Sequence, residues 1–408
     1  MLFLKNAFNS TIGKIVWAVL ALHIGLNTAS AKTDSLSFSL LTCGPGEQVY
    51  ELFGHTGIRC RNIVTGEDIV YNYGIFDFQT PNFFVLFAFG KTDYILGVQP
   101  YRYFESAYRM RGSSLVEQKL NLNSEESKKL DSLLRENAHP KNRLYRYNYF
   151  YNNCTTRARD RIEDAICGTV SYSPKLEYRT YREWVRSCVK NSPWIDFGIG
   201  LCLGAEADRI LSDRECLFLP ENLRLAFGQA VIYGDSSSAS RSLIVAEHEI
   251  LREDSFFLEN KKVCVFTPMI VSCLMLIMVL ACSWWEWRRK RVCWVIDVIL
   301  FTLQGLAGCV IAFLYFYSEH PAVDSNYLLI ILNPVPLLYL PILIYKVING
   351  QKDLYDVVNI AVLTLFIAFL PLIPQKISLV VVPLALNLLI RSILHLVVAG
   401  NKTYIGRK

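Results

Sequence analysis

Cys154 stands in the stretch YFYNNCTTRARD, Tyr149 to Asp160, where a polar and aromatic approach gives way to a basic run. Ala158, Ile162, Ala165 and Ile166 follow at helical spacing, which predicts a helix starting at or beside the cysteine. A thiol there is biased toward the thiolate, because the unpaired N–H groups and the dipole of a helix start favour negative charge. A backbone N–H at the same place is aimed to stabilise the oxyanion formed when a thiolate attacks a carbonyl. The stretch lacks a base. Among six histidines, His55 in GHTGIRC is the best supplier, since Gly54 and Gly57 leave room beside its ring on an otherwise apolar strand. His23 lies in an N-terminal apolar run, His139 at a Pro-bounded helix end and His248 among charges, while His320 and His395 belong to the apolar C-terminal part.

A base of this kind needs a third group to hold its other ring nitrogen. Asn72 in VYNYG is the first choice and Asp77 the second, and Tyr73 shares the strand that faces His55. Asn153 is placed to cap the cysteine helix, and Asn152 either caps or assists the oxyanion. Arg157 either pairs with Asp160 within the helix or meets a lipid phosphate. By residue type alone the Cys, His, Asn set decides little, because most strand histidines do no chemistry.

The elements that must position these residues occupy 32–262, a polar and aromatic stretch of α+β character. A strand from His55 to Arg61, the turn VTGED and the strand IVYNYGIFDF form a hairpin that brings His55 and Asn72 together. LNSEESKKLDSLLRENAHP opens with Asn123 and Glu126 in a capping box and stops before Pro140, which predicts a helix. SPKLEYRTYREWVRSCV predicts another helix, and FGQAVIYGDSSSASRSLIVAEHEIL two strands around a serine-rich turn. The apolar segment Trp194–Ala205 fits either core or a membrane interface.

Of the 408 residues, 52% are hydrophobic, and they concentrate in the last third. From 263 to 408 the chain predicts an all-α transmembrane domain with about five spans, near 263–283, 292–317, 327–347, 357–374 and 377–398. Arg288, Arg289, Lys290 and Arg291, then Lys346 and Lys352, then Lys402, Arg407 and Lys408 mark the cytoplasmic side. The opposite loops carry only Lys376, which sets the soluble domain outside and the C-terminus in the cytoplasm. Pro334, Pro336 and Pro341 predict a broken third span, and Trp284, Trp285 and Trp287 read as interfacial anchors. His320, beside Glu319 at the external end of the second span, fits either simple solvation or a substrate-positioning role.

Residues 1–31 have the form of a cleavable secretory signal, with Lys5 and Lys14 before an apolar run and small residues at Ala29 and Ala31. An uncleaved anchor is the alternative, and both readings export the soluble part. The net charge of +6 follows from the basic cytoplasmic loops, so no nucleic-acid partner is expected. Seven of the twelve cysteines precede the spans, an odd number that leaves at least one thiol free. There is no C-x-x-C, and the histidines lack metal-ligand spacing, so neither metal nor cofactor is expected.

The order histidine strand pair, then cysteine helix, resembles the circularly permuted branch of papain-like enzymes, which includes lecithin retinol acyltransferase. More closely, SLLTCGPGEQVYELFGHTGIRC, VYNYGIFDF, YNYFYNNCTTRARDRIED and, in the membrane part, EHPAVDSNYLLIILNPVPLL are similar to the blocks of the Bacteroidota-type lipoprotein N-acyltransferase family. The resemblance spans nearly all of the mature chain. It implies a permuted papain-like periplasmic domain on an inner-membrane bundle, with Cys154 as nucleophile, His55 as base and Asn72 as orienter. Cys154 would take an acyl chain from a phospholipid as a thioester and pass it to the α-amine of a diacylated lipoprotein.

Three other functions use the same features. A cell-wall cysteine peptidase or amidase would share the nucleophile and base, although five spans and lipid-side topology count against it. A phospholipase or thioesterase would form the same acyl-enzyme and release it to water. A membrane assembly factor without chemistry is disfavoured by the presence of both Cys154 and His55 in their expected blocks.

Overall fold

The computed structural model describes residues 36–172, 177–234, 240–253 and 264–399. The signal segment, Lys261, Lys262, the serine-rich turn and the basic tail lie outside the described residues. The first part is an α+β domain built on a seven-stranded antiparallel sheet whose neighbours run, edge to edge, Ile244–Leu251, Leu115–Leu120, β1 (Leu36–Cys43), β2 (His55–Asn62), β3 (Asp68–Ile75), β4 (Asp93–Pro100) and Leu144–Arg146. At its centre, β1 pairs with β2, and β2 pairs with β3 in the expected hairpin. The register Ile58↔Tyr71 and Cys60↔Ile69 fixes the hairpin, and side-chain alternation sends its residues into two cores.

On one face Phe38, Leu40, Ile58, Tyr71 and Tyr73 meet helices Ser124–Ala138, Cys154–Ala165 and Pro220–Gln229. On the other, Leu41, Cys43 and Val70 meet Phe104 and Tyr108 of helix Tyr101–Met110. The capping box on Ser124–Ala138 forms as expected, Asn123 Oδ1 accepting from Glu126 N at 2.9 Å and Glu126 accepting in return. Ala158, Ile162 and Ala165 of the cysteine helix are completely buried, so packing against the sheet fixes its axis and therefore its first residue.

Five helices are long and apolar enough to cross a membrane: Pro268–Arg289, Trp294–Tyr317, Tyr327–Asn349, Leu354–Leu372 and Val381–Val398. The third is broken as its prolines predict, a short 3-10 turn at Tyr327–Ile330 preceding the helix Val335–Asn349. Gln304 of the second span donates to the Ile331 carbonyl at 2.7 Å, which satisfies one backbone group at the break. Gly308 of the second span is required there, since a Cβ on it would come within 2.2 Å of the Asn333 backbone.

A charged network ties four spans together. Arg391 of the fifth span donates to Asp297 of the second at 2.6 Å and to Glu286 of the first at 2.8 Å. His395, one turn further, lies 3.0 Å from Asp297 and 3.1 Å from Asp356 of the fourth span. All five side chains are buried. Intramembrane charge of this kind is legible in a sequence as ionisable residues within apolar spans, but its pairing is not.

The two domains are joined on one side. Glu319 N donates to Phe89 O at 2.9 Å, Gly204 N to Ala322 O at 2.9 Å, and Lys376 Nζ pairs with Glu183 at 2.7 Å. Gln375 of the last outer loop donates to Leu203 O at 2.9 Å, and Asn326 to Leu201 O at 2.8 Å. The loops between spans two and three and between spans four and five therefore lie on the side of the soluble domain. Helix Pro193–Cys202, within the segment that fitted either core or interface, packs Phe197 and Leu201 against the membrane cluster and buries no residue fully.

Candidate active site

The cysteine helix begins at Cys154, with Asn153 as its cap. Asn153 Oδ1 accepts from Thr155 N at 2.8 Å and Thr156 N at 2.9 Å, and its amide donates to Tyr149 O and Phe218 O. The cap thus takes two N–H groups of the first turn and leaves that of Cys154, a residue lining the cleft, without a partner among the described residues. The thiol faces the His55 imidazole and the Thr56 backbone, whose influence reaches it, and its sulfur lies 3.8 Å from the Thr155 hydroxyl. On the far side of the ring, His55 Nε2 donates to Asn72 Oδ1 at 2.6 Å. That bond keeps a proton on Nε2 and turns Nδ1 toward the sulfur.

Local backbone makes this contact possible. The β3–β4 register shifts between Asn72 and Ile75, and Gly74 sits there with φ +93°. A Cβ at Gly74 would stand 3.3 Å from Cys154 Cβ and 3.6 Å from His55 Cε1, so glycine answers both a conformational and a steric demand. Thr56 and Thr155 join hydroxyls at 3.0 Å in a buried bond that pins the histidine strand to the start of the cysteine helix.

Electrostatics set Cys154 apart from its neighbours. Burial alone would raise its thiol, but the His55 charge and the hydrogen bonds from His55, Thr56 and Thr155 pull it below the ordinary range. Burial likewise disfavours the His55 cation, and the facing thiolate with the hydrogen bonds to Cys154 and Asn72 raises the imidazole above its usual value. Cys43, Cys60, Cys188, Cys202 and Cys216 all move upward through burial. Among the described thiols that shift, only Cys154 becomes more acidic. All twelve cysteines are unpaired.

Cys154, His55 and Asn72 line a cleft of about 220 Å³ whose walls are rich in aromatic rings, among them Tyr50, Phe76, Tyr94, Tyr147 and Phe218. Arg111 also reaches it, with its charge committed to Glu51 at 2.9 Å. The other residues singled out in the sequence lie around this centre in distinct settings. Asn152 accepts from Arg157 Nε at 2.6 Å and donates to Arg146 O at 2.6 Å. Arg157 also lies over the Tyr145 ring at 4.4 Å, and the expected pair with Asp160 is absent because Asp160 is taken by Arg159 and Arg214. Tyr73 is buried in the core, its hydroxyl donating to Asn137 at 2.9 Å. Asp77 is exposed and accepts from Gln79 N at 2.8 Å. His320 lies at the domain seam, 2.9 Å from Phe87 O, and is not among the residues lining the cleft.

Residues 26–187 match the family model described as the Lnb N-terminal periplasmic domain, and residues 259–403 match the Lnb transmembrane domain. The chain belongs to the Lnb family. The Lnb periplasmic match contains Cys154, His55 and Asn72, whereas the cleft-wall residues Phe218, Leu219 and Pro220 fall between the two matched regions. Sequence reasoning missed those three, together with Thr56 and Thr155, because nothing local links the Phe218 segment to the cysteine helix. In this Lnb-family chain the link is the amide of Asn153, which reaches Phe218 O at 2.9 Å. No curated protein and no solved structure matches the chain significantly.

Proposed function

We propose that this Lnb-family protein is a lipoprotein N-acyltransferase that moves an acyl chain from a phospholipid through a Cys154 thioester to the α-amine of a diacylglyceryl-cysteine. The observation that carries the reading is the acidified Cys154 thiol, facing a His55 that Asn72 holds, in a cleft rich in aromatic rings on a membrane-anchored domain.

The Cys154 thiolate attacks the ester carbonyl of the phospholipid, and the oxyanion is held by the free N–H of Cys154. His55, protonated in the resting pair, gives its proton to the departing glycerol oxygen and releases a lysophospholipid. The neutral imidazole then accepts a proton from the lipoprotein α-amine as that amine attacks the thioester. Collapse expels the thiolate beside an imidazolium, which restores the starting pair. Asn72 keeps the ring in position through both steps, while Asn153, Asn152 and Arg157 brace the helix start.

Both substrates are anchored in lipid, so tethering the cleft to a membrane bundle raises their local concentration at the thiol. On this reading the bundle sits in the inner membrane with the C-terminus in the cytoplasm, as the basic loops direct. The test is expression in cells lacking their own lipoprotein N-acyltransferase, followed by mass spectrometry of lipoprotein N-termini. An acylated α-amine with the wild-type protein supports the function, and a free α-amine rejects it. Release of free fatty acid from phospholipid at a comparable rate without an amine acceptor would instead assign a phospholipase.

A further inference from the structure

Between Ile75 and Gly90 the chain reads IFDFQTPNFFVLFAFG, with Asp77 as its only charge. The segment leaves the cleft at Ile75 and Phe76, runs through helix Phe83–Ala88, and ends against the membrane domain. Its rings form two groups, one reaching in from the cleft and one reaching the second span. Phe76, in the cleft wall, meets Phe83 at 5.6 Å between centroids; Phe83 meets Phe87 at 6.4 Å; and Phe89 meets Phe313 of the second span at 4.7 Å. A large apolar surface stays uncovered along this path: Phe78 is 46% exposed, Phe84 72%, Val85 52% and Phe87 41%.

Soluble domains rarely leave a contiguous patch of this kind open unless something binds it. Its position says what does. The patch continues the surface of the second span, whose outer end exposes Phe316 and Tyr317, and Phe89 is packed on that span. Aromatic rings at such a level belong to the boundary between headgroups and acyl chains. At its other end the patch opens into the cleft through Phe76 and Tyr50, whose rings lie 5.5 Å apart.

We infer that the segment Ile75–Gly90 dips into the outer leaflet and forms an aromatic track along which a phospholipid acyl chain passes from the bilayer to Cys154. The track deepens the acyl-transfer reading and rests on it for the chain's destination. Asp77, the one charge, lies at the cleft end of the segment, ahead of the exposed Phe84, Val85 and Phe87, and accepts from Gln79 N at 2.8 Å.

Two measurements on the full-length protein in phospholipid vesicles test it. First, a photoreactive benzoylphenylalanine is introduced at position 84 and, as a control, at Tyr103, which is 57% exposed on the helix Tyr101–Met110. Irradiation should yield phospholipid adducts from position 84 and none from position 103. Second, Phe78→Ser with Phe84→Ser should raise the vesicle concentration needed for half-maximal acylation of Cys154 by about tenfold, leaving the rate of thiol alkylation by iodoacetamide unchanged. Adducts at position 84 to protein and not lipid, equal lipid adducts at both positions, or an unchanged vesicle dependence would overturn the proposal. Should Cys154 never acquire an acyl chain, the acyl-transfer reading and the track's destination both fall, while lipid adducts at position 84 still report the leaflet contact. The two failures are therefore distinguishable.

Discussion

Two of the assemblies of ionisable side chains in the Lnb-family chain differ in what each leaves uncommitted. In the membrane bundle, Glu286, Asp297 and Asp356 meet Arg391 or His395, and all five side chains are buried away from any described cleft. In the soluble domain, Cys154 and His55 are only half-buried, and the N–H of Cys154 at the helix start remains unpaired among the described residues, beside a cleft rich in aromatic rings. Buried charge by itself holds helices together. Chemistry needs a reactive atom that is activated yet still has room and a hydrogen bond to offer.

The largest effect should separate the two at once. Cys154→Ala should lower acyl transfer by about 10⁴-fold or more with the melting temperature nearly unchanged, measured on lipoprotein N-termini and by thermal unfolding in detergent. Arg391→Met should do the reverse. It leaves Glu286 and part of Asp297 without their cation and should cost about 3–5 kcal/mol of stability, while the folded fraction keeps the wild-type rate of Cys154 alkylation. Adding Glu286→Gln and Asp297→Asn should recover much of that loss. A changed alkylation rate in folded Arg391→Met protein would mean that the two assemblies are coupled.

A smaller effect sharpens the account of the site. Asn72→Ala frees the His55 ring and should reduce transfer by about a hundredfold without preventing thiol alkylation. The pH dependence follows from opposite shifts in the pair. Turnover with phospholipid should rise as pH climbs through the lowered Cys154 value and fall as pH climbs through the raised His55 value. In His55→Ala the rise should move upward past the ordinary thiol range, because burial then acts on Cys154 without the imidazole; stopped-flow alkylation across pH reads this directly. Smallest of all, Asn153→Ala removes the helix cap and the bond to Phe218 and should cost about 2 kcal/mol, read by denaturant unfolding.

How far these features could be read from sequence depended on how local their causes are. The hairpin was legible because VTGED is a turn between two apolar strands, and the helix Ser124–Ala138 because Asn123 and Glu126 form a reciprocal cap. The five spans were legible because a bilayer sets their length. Residue type and hairpin pairing brought Asn72 to His55, but the glycine that lets them reach Cys154 was not foreseen, because Gly74 matters only once the helix start has packed against it. The cleft wall at Phe218 and the pairing of Asp160 with Arg214 join segments more than fifty residues apart, and no local pattern encodes such contacts.

The central claim is that Cys154 carries the acyl chain. It is tested most directly by mass spectrometry of the Cys154 peptide after the purified protein meets phospholipid vesicles without an acceptor. The account predicts an acyl mass on Cys154 that hydroxylamine removes, and that moves to an amide when a lipoprotein with a free α-amine is added. An unmodified Cys154 in protein that still acylates lipoprotein would contradict it.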